Sequence, residues 1–254
     1  MWSRRETIAG GLLTLLFGPC CAHAEDSRTP HTFGCCLASE DVDKVYPAGT
    51  DTRVFFTGNE PMIPRSGDRD FDYALAQTLA KISDAFGVLP GFAYYDDYNN
   101  HNAYATDRTR LNRADGTVLM GINLQRQLRA SRDNPDVAVV AVCAHEFGHI
   151  VQYRHRLIER VNAGQPTVKR SELQADYFAG FYAGLRKKER PSYPAAVVAV
   201  TQGEFGDTNF KNRTHHGTEA ERANAVVRGF EAAFREGKSL NQAIEESTNY
   251  VLTL

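Results

Sequence analysis

His145, Glu146 and His149 stand in the run His-Glu-Phe-Gly-His at residues 145–149, and that spacing has a direct chemical meaning. On an α-helix, positions i and i+4 share a face one turn apart. Two imidazoles so placed can hold one Zn²⁺ at about 2.0–2.1 Å, with Glu146 on the flank where a carboxylate can take a proton from water at the metal. A zinc ion that does chemistry takes three protein ligands and keeps one position open. Glu172, in Ser171-Glu-Leu-Gln-Ala-Asp176, is placed to be the third. Asp176, again four residues on, is placed to accept the second ring N–H of a ligand histidine and so fix its tautomer. The plain alternative for Glu172 and Asp176 is a solvated acidic face. Leu173, Phe178 and Phe181 crowd around them, which argues for burial instead.

These residues need two helices to position them. Asn134-Pro135-Asp136 supplies a capping residue, a proline at the first helical position and an early acid. An unbroken apolar run from Val137 to Ala144 follows, and Ala138, Ala141, Val142, His145 and His149 form one stripe. The second helix is expected from near Thr167 to the charged 186–190 end, stopped by Pro191. Upstream, Phe71 to Phe86 has a helical apolar pattern ended by Gly87. Gly91–Tyr95, Ala103–Ala105 and Thr117–Ile122 read as short strands of one small sheet, with a hairpin turn expected at Arg113-Ala-Asp-Gly116. Asp96-Asp-Tyr-Asn-Asn-His101 has the oxygens to bind a hard cation but lacks the ligand ladder of a calcium loop, and is read as a solvated loop. Tyr193–Thr201, Glu219–Arg235 and Leu240–Leu252 read as further helices. The expected fold class is α+β, a small antiparallel or mixed sheet followed by a mostly helical metal-binding region.

The set His145-Glu146-x-x-His149 with Glu172-x-x-x-Asp176 resembles the zinc-binding residues of the gluzincin metallopeptidases. Within them it is most similar to the prenyl-protein endopeptidase and heat-shock-type family, including its soluble periplasmic members. Glu-Leu-Gln-Ala-Asp-x-Phe-Ala-Gly is also similar to a run found in bacterial neutral zinc metallopeptidases. Asn102-Ala103-Tyr-Ala105 resembles the segment leading into a substrate-facing edge strand. Thr214-His-His-Gly-Thr-Glu-Ala-Glu-Arg222 resembles a late Thr-His-Pro…Arg motif, with Gly217 where proline is common, so His215 and His216 compete for the histidine role. The likeness covers roughly residues 71–222. It implies a gluzincin-like fold and one zinc per chain. It also implies that His216 and Arg222 stabilise the developing oxyanion, and that an extended peptide lies along Thr117–Ile122 by strand addition with Asn102 and Ala103 binding its backbone.

The chain has 254 residues and a formal net charge of −2. That is long enough for a sizeable core and offers no basic footprint for nucleic acid. Nothing after residue 18 is apolar for the ~20 residues a stable membrane span needs. Residues 1–24 read as a cleavable export signal: Arg4-Arg5, an apolar stretch from Ile8 to Gly18, and Ala22-His-Ala24 as cleavage site. Ser3-Arg4-Arg5 resembles a twin-arginine signal, and Thr7 departs from the bulky residue usual there, so the general secretory route stays open. Phe17-Gly-Pro19 fits a lipoprotein box ahead of Cys20 poorly. Residues 25–70 read as an extended lead-in with a short strand at Arg53–Thr57, and residues 71–254 as the metal-binding domain. After cleavage three cysteines remain, Cys35, Cys36 and Cys143. The helical rotation of Cys143 from His145 marks it as a core thiol.

The function expected is zinc-dependent hydrolysis of peptide bonds in a peptide or unfolded-protein substrate, in the periplasm or outside the cell, with Glu146 as general base. The alternative is a metal-stabilised, catalytically weak binding or chaperone-like periplasmic protein. The acid kept beside the metal speaks against that, since a scaffold has no chemical need for it.

Overall fold

A computed structural model of the chain describes residues 60–130 and 134–254, with the backbone of two short antiparallel strands ahead of them, β1 (Thr32–Phe33) and β2 (Cys36–Leu37). The expected export signal, most of the 25–70 lead-in, the strand expected at 53–57 and the sulfur pairing of Cys35 and Cys36 lie outside the described residues.

Helix α1 (Arg69–Phe86) buries Phe71, Leu75, Leu79, Ile82 and Phe86 on one side, each burial favouring the fold by about 1.5–3 kcal/mol. Asp68 caps it by accepting from the Phe71 amide at 3.1 Å. Gly87 ends it with φ 60°, a left-handed conformation open to glycine. The sheet follows. Strands β3 (Gly91–Tyr95), β4 (Ala103–Thr106) and β5 (Thr117–Gly121) lie in the order β3-β5-β4, with β5 parallel to β3 and antiparallel to β4. Side chains alternate as pleating requires. Tyr94, Ala103, Ala105, Val118 and Met120 join the main core, while Ala93, Tyr95, Tyr104 and Leu119 form a smaller cluster.

Two expectations about the sheet are corrected. The β4–β5 connection runs over residues 107–116 and is no tight hairpin. Of Asp115 and Gly116 only Gly116 has positive φ, at 73°, and the Asp115 carboxylate is occupied by the Leu89 amide at 2.7 Å and Arg154 at 2.9 Å. The central strand, moreover, is β5. Thr117–Met120 is therefore paired on both sides, and β4 is the strand with an outer edge.

Helix α2 (Ile122–Arg129) leaves β5 directly, an element the sequence reading passed over because it is short and joined to a strand. The remaining helices are α3 (Pro135–His155), α4 (Leu157–Asn162), α5 (Lys169–Glu189), α6 (Ala196–Glu204), α7 (Glu219–Phe234) and α8 (Leu240–Leu252). Helix α3 is buried on nearly every side from Ala138 to Gln152, and packs against the sheet and α1, α2, α5 and α6. Its start departs from expectation. Asn134 takes φ 51° and its side chain makes no capping bond, so Pro135 and the acid Asp136 mark the first turn. Thr218 and Ser239 open α7 and α8 with full capping boxes.

Small residues set the helix spacing around the site. A Cβ on Gly148 of α3 would lie 3.1 Å from the Ala175 backbone of α5. On Gly180 it would meet the Val226 carbonyl oxygen at 1.9 Å, and on Gly229 the Tyr177 carbonyl oxygen at 1.8 Å, so α5 and α7 cross with backbones in contact. The fold is α+β, as expected. Among the described residues no helix is long and apolar enough to cross a membrane.

Candidate metal centre

Helices α3 and α5 bring His145, His149 and Glu172 together, each 3 % exposed or less, with one donor atom from each lying within 4.8 Å of the others. The two Nε2 atoms are 3.2 Å apart. Glu172 Oε2 is 3.3 Å from His145 Nε2, and Oε1 is 3.5 Å from His149 Nε2. Donors on a tetrahedral ion with bonds of about 2.0–2.1 Å stand roughly 3.3–3.4 Å apart, so the set fits a four-coordinate metal ion.

Each histidine is held from behind. His145 Nδ1 bonds Asp176 Oδ1 at 2.8 Å and His149 Nδ1 bonds Gln152 Oε1 at 2.8 Å, leaving both Nε2 atoms facing the shared point. Asp176 is gripped in turn by Arg222 of α7, whose Nε donates to Oδ2 at 2.8 Å and whose Nη2 donates to Oδ1 at 2.9 Å. Arg222 also donates to Gln202 Oε1 at 3.2 Å and to the Phe205 carbonyl at 3.2 Å. Gln202 Nε2 reaches the Ala141 carbonyl of α3 at 2.9 Å. One guanidinium thus ties α5, α6 and α7 behind the histidines.

The charges follow from this packing. Burial alone would lower the His145 imidazole, and the Asp176 carboxylate beside it reverses that and carries it up to about 10. Burial works against ionised Asp176, yet Arg222 and His145 hold its carboxyl below the usual range. Burial likewise opposes ionised Glu172, and the nearby His149 and His216 hold it well below. Glu146 goes the other way: burial raises it. Its Oε2 is fully buried and has no hydrogen-bond partner, a rare and costly state for a carboxylate oxygen.

His145, Glu146, Glu172, His216 and Arg222 line one cleft, with Asn102 and Ala103 at its rim and Leu124, Val142 and Phe205 as apolar wall. Of the two adjacent histidines, His216 reaches this cleft. His215 is 3 % exposed, bonds Asp207 Oδ1 at 2.6 Å and packs its ring on Phe210. Asp207 also accepts from the His216 amide at 2.9 Å, holding the loop in place. Gly217 has φ 101°, which proline, locked near −65°, cannot adopt. The departure from the proline motif is therefore a different backbone path. Burial lowers His216 from its ordinary value, so the ring is neutral near pH 7.

Strand β4 borders the cleft. The Gly121 amide donates to the Asn102 carbonyl at 2.9 Å, and the next pair in register is Ala103–Met120. Alternation in an antiparallel ladder then turns the N–H and C=O of Ala103 out of the sheet. The backbone of β2 comes close to β4, but no strand among the described residues is hydrogen-bonded to that edge.

Several supports of the site belong to no local motif. Asp97, 2 % exposed, accepts from the Asn102, Asn123 and Leu124 amides at 3.2, 2.8 and 3.0 Å. It caps α2 from a distance, fixes Asn102, and is already committed as an acceptor to backbone. Gln152, Gln174 and Gln202 are 1 % exposed or less. Their signal was available: a glutamine inside an apolar helical run must find partners once buried. Cys143 is buried, free and pushed up by burial, a core thiol as expected. No family model, curated protein or solved structure matches the chain.

Proposed function

We propose that this chain is a zinc metallopeptidase of gluzincin type, with one Zn²⁺ on His145, His149 and Glu172 and with Glu146 as general base. The observation that carries the reading is Glu146 Oε2, buried without a partner beside a complete His-His-Glu donor set. Other buried polar atoms of the chain also have no partner, and what sets Glu146 apart is that it lines the same cleft as the donor set. Two imidazoles and one carboxylate are a zinc-type donor set. Zinc, when bound, supplies the Lewis acid that makes water a nucleophile near neutral pH and polarises a carbonyl.

The remaining work falls to the chain. A peptide lies along the outer edge of β4, meeting the outward N–H and C=O of Ala103 by strand addition, with Asn102 beside it. Glu146 accepts the proton of the attacking water and delivers it to the leaving amine. Its raised affinity for a proton suits both halves of that task. Neutral His216 donates a hydrogen bond to the oxygen that gains charge. Arg222 lines the same cleft, and its grip on Asp176 makes orientation of His145 its main role. The leader reading of residues 1–24 belongs to this proposal and places the mature chain in the periplasm or outside the cell.

Glu146→Gln tests the reading, because it preserves size and all three ligands. It should bind zinc at one per chain and lose about 10²–10⁴-fold in peptide cleavage. Equal turnover by wild type and variant on every peptide and unfolded protein offered would overturn it in favour of a metal-stabilised binding protein.

A further inference from the structure

The two histidines are not supported alike. Behind His145 stands a carboxylate, behind His149 a neutral amide, and that amide is the first member of a buried chain. Gln152 Nε2 donates to the Ser171 carbonyl at 2.8 Å and to Gln174 Oε1 at 3.0 Å. Gln174 Nε2 donates to Thr248 Oγ1 at 2.9 Å and to Ser247 Oγ at 3.2 Å on α8. Gln152, Gln174, Ser247 and Thr248 are each 1 % exposed or less.

The direction of this chain is forced. Both hydroxyls spend their hydrogens on the Ile244 carbonyl, Ser247 at 3.1 Å and Thr248 at 2.7 Å, so they can only accept from Gln174. The Gln174 NH₂ must then face α8, which turns its oxygen toward Gln152. The Ser171 carbonyl, also acceptor-only, agrees in drawing the Gln152 NH₂ to the same side. Gln152 Oε1 is left facing His149, whose Nδ1 must be the donor. The lone pair of His149 is thereby placed on Nε2, toward His145 and Glu172. Reversing either amide would set oxygen against oxygen, at the Ser171 carbonyl or at the α8 hydroxyls, in a buried site where an unsatisfied group costs about 1–3 kcal/mol.

We propose that Gln152, Gln174, Ser247 and Thr248 are positioning residues, a relay through which the C-terminal helix sets the Nδ1–H tautomer of His149 and so the metal affinity of the centre. The inference rests on the reading of His145, His149 and Glu172 as metal ligands. It does not require peptidase activity.

Zinc affinity, measured by competition with a chromophoric chelator, is the readout. Gln152→Leu should weaken zinc binding by about 10–100-fold. The pair Ser247→Ala with Thr248→Val, far from the metal, should weaken it about threefold or more. Adding that pair to Gln152→Leu should weaken it no further, because both changes cut one relay. Thr248→Ser, which keeps the hydroxyl, should bind like wild type. A ¹⁵N histidine spectrum of metal-free wild type at mildly alkaline pH needs no variant, and should show the His149 proton on Nδ1. Wild-type affinity in Gln152→Leu, full additivity with the α8 changes, or a His149 proton on Nε2 would each overturn the relay. An inert Glu146 with the relay intact would instead overturn the peptidase reading alone.

Discussion

At the residue scale Glu146 sets the balance between stability and chemistry. A carboxyl raised by burial costs the fold stability as the pH rises from the ordinary glutamate value through the raised folded one, because burial penalises the charged form. Glu146→Gln should therefore melt higher than wild type in the metal-free state at pH 7. A gain of about 1 kcal/mol, or roughly 2–4 °C, is the expected scale. A lower melting temperature in calorimetry would mean that Glu146 is satisfied after all. The same shift governs the acid limb of activity. The base form is lost as pH falls through the raised value, so kcat/KM should decline at a pH above the ordinary glutamate value of 4.5, while zinc content measured in parallel stays constant. His216 depends on Asp207, which holds its amide. His216→Ala should lower turnover about 10²-fold with zinc content unchanged, as for loss of one oxyanion donor.

At the scale of elements the centre is a contact between helices. Glu172 reaches the histidines because Gly148 lets α3 approach the Ala175 backbone of α5. Gly148→Val should wedge the pair apart, destabilise the fold by about 1–3 kcal/mol and weaken zinc binding. Unchanged zinc affinity in a folded Gly148→Val protein would show that α5 can follow the histidines without close packing. The Asp176–Arg222 pair joins α5 to α7, with both side chains 4 % exposed or less. Arg222→Met leaves Asp176 buried without its cation, at about 3–5 kcal/mol. It should loosen zinc as well as slow turnover. Normal zinc affinity with slow turnover would instead assign Arg222 to the oxyanion.

For the whole molecule, metal and fold are linked. An ion that binds only the folded chain stabilises it by about 2.7 kcal/mol at a hundred times its dissociation constant. Chelation should therefore lower the melting temperature by roughly 5–10 °C, reversed by zinc. An unmoved transition would sink the metal assignment. Export is tested separately: residues 1–24 fused to a reporter should carry it out of the cytoplasm and be cut after Ala24.

Much of this protein is local and so is written in the sequence. Helical periodicity determined α1, α3 and α5, because i and i+4 spacing is a property of one helix whatever surrounds it. The same rule put His145 with His149, and Glu172 with Asp176, before any packing was known. What lay beyond the sequence is pairing at a distance. Strand β5 became the centre of the sheet because β3 pairs parallel on one side of it while β4 pairs antiparallel on the other, and no short-range pattern encodes strand order. The choice of His216 over His215 was decided by Asp207 and the positive φ of Gly217. Asp97 and the glutamine relay join residues 22 to 74 positions apart. Which acceptor a buried amide finds is settled by which helices the core brings together, and that only the tertiary structure decides.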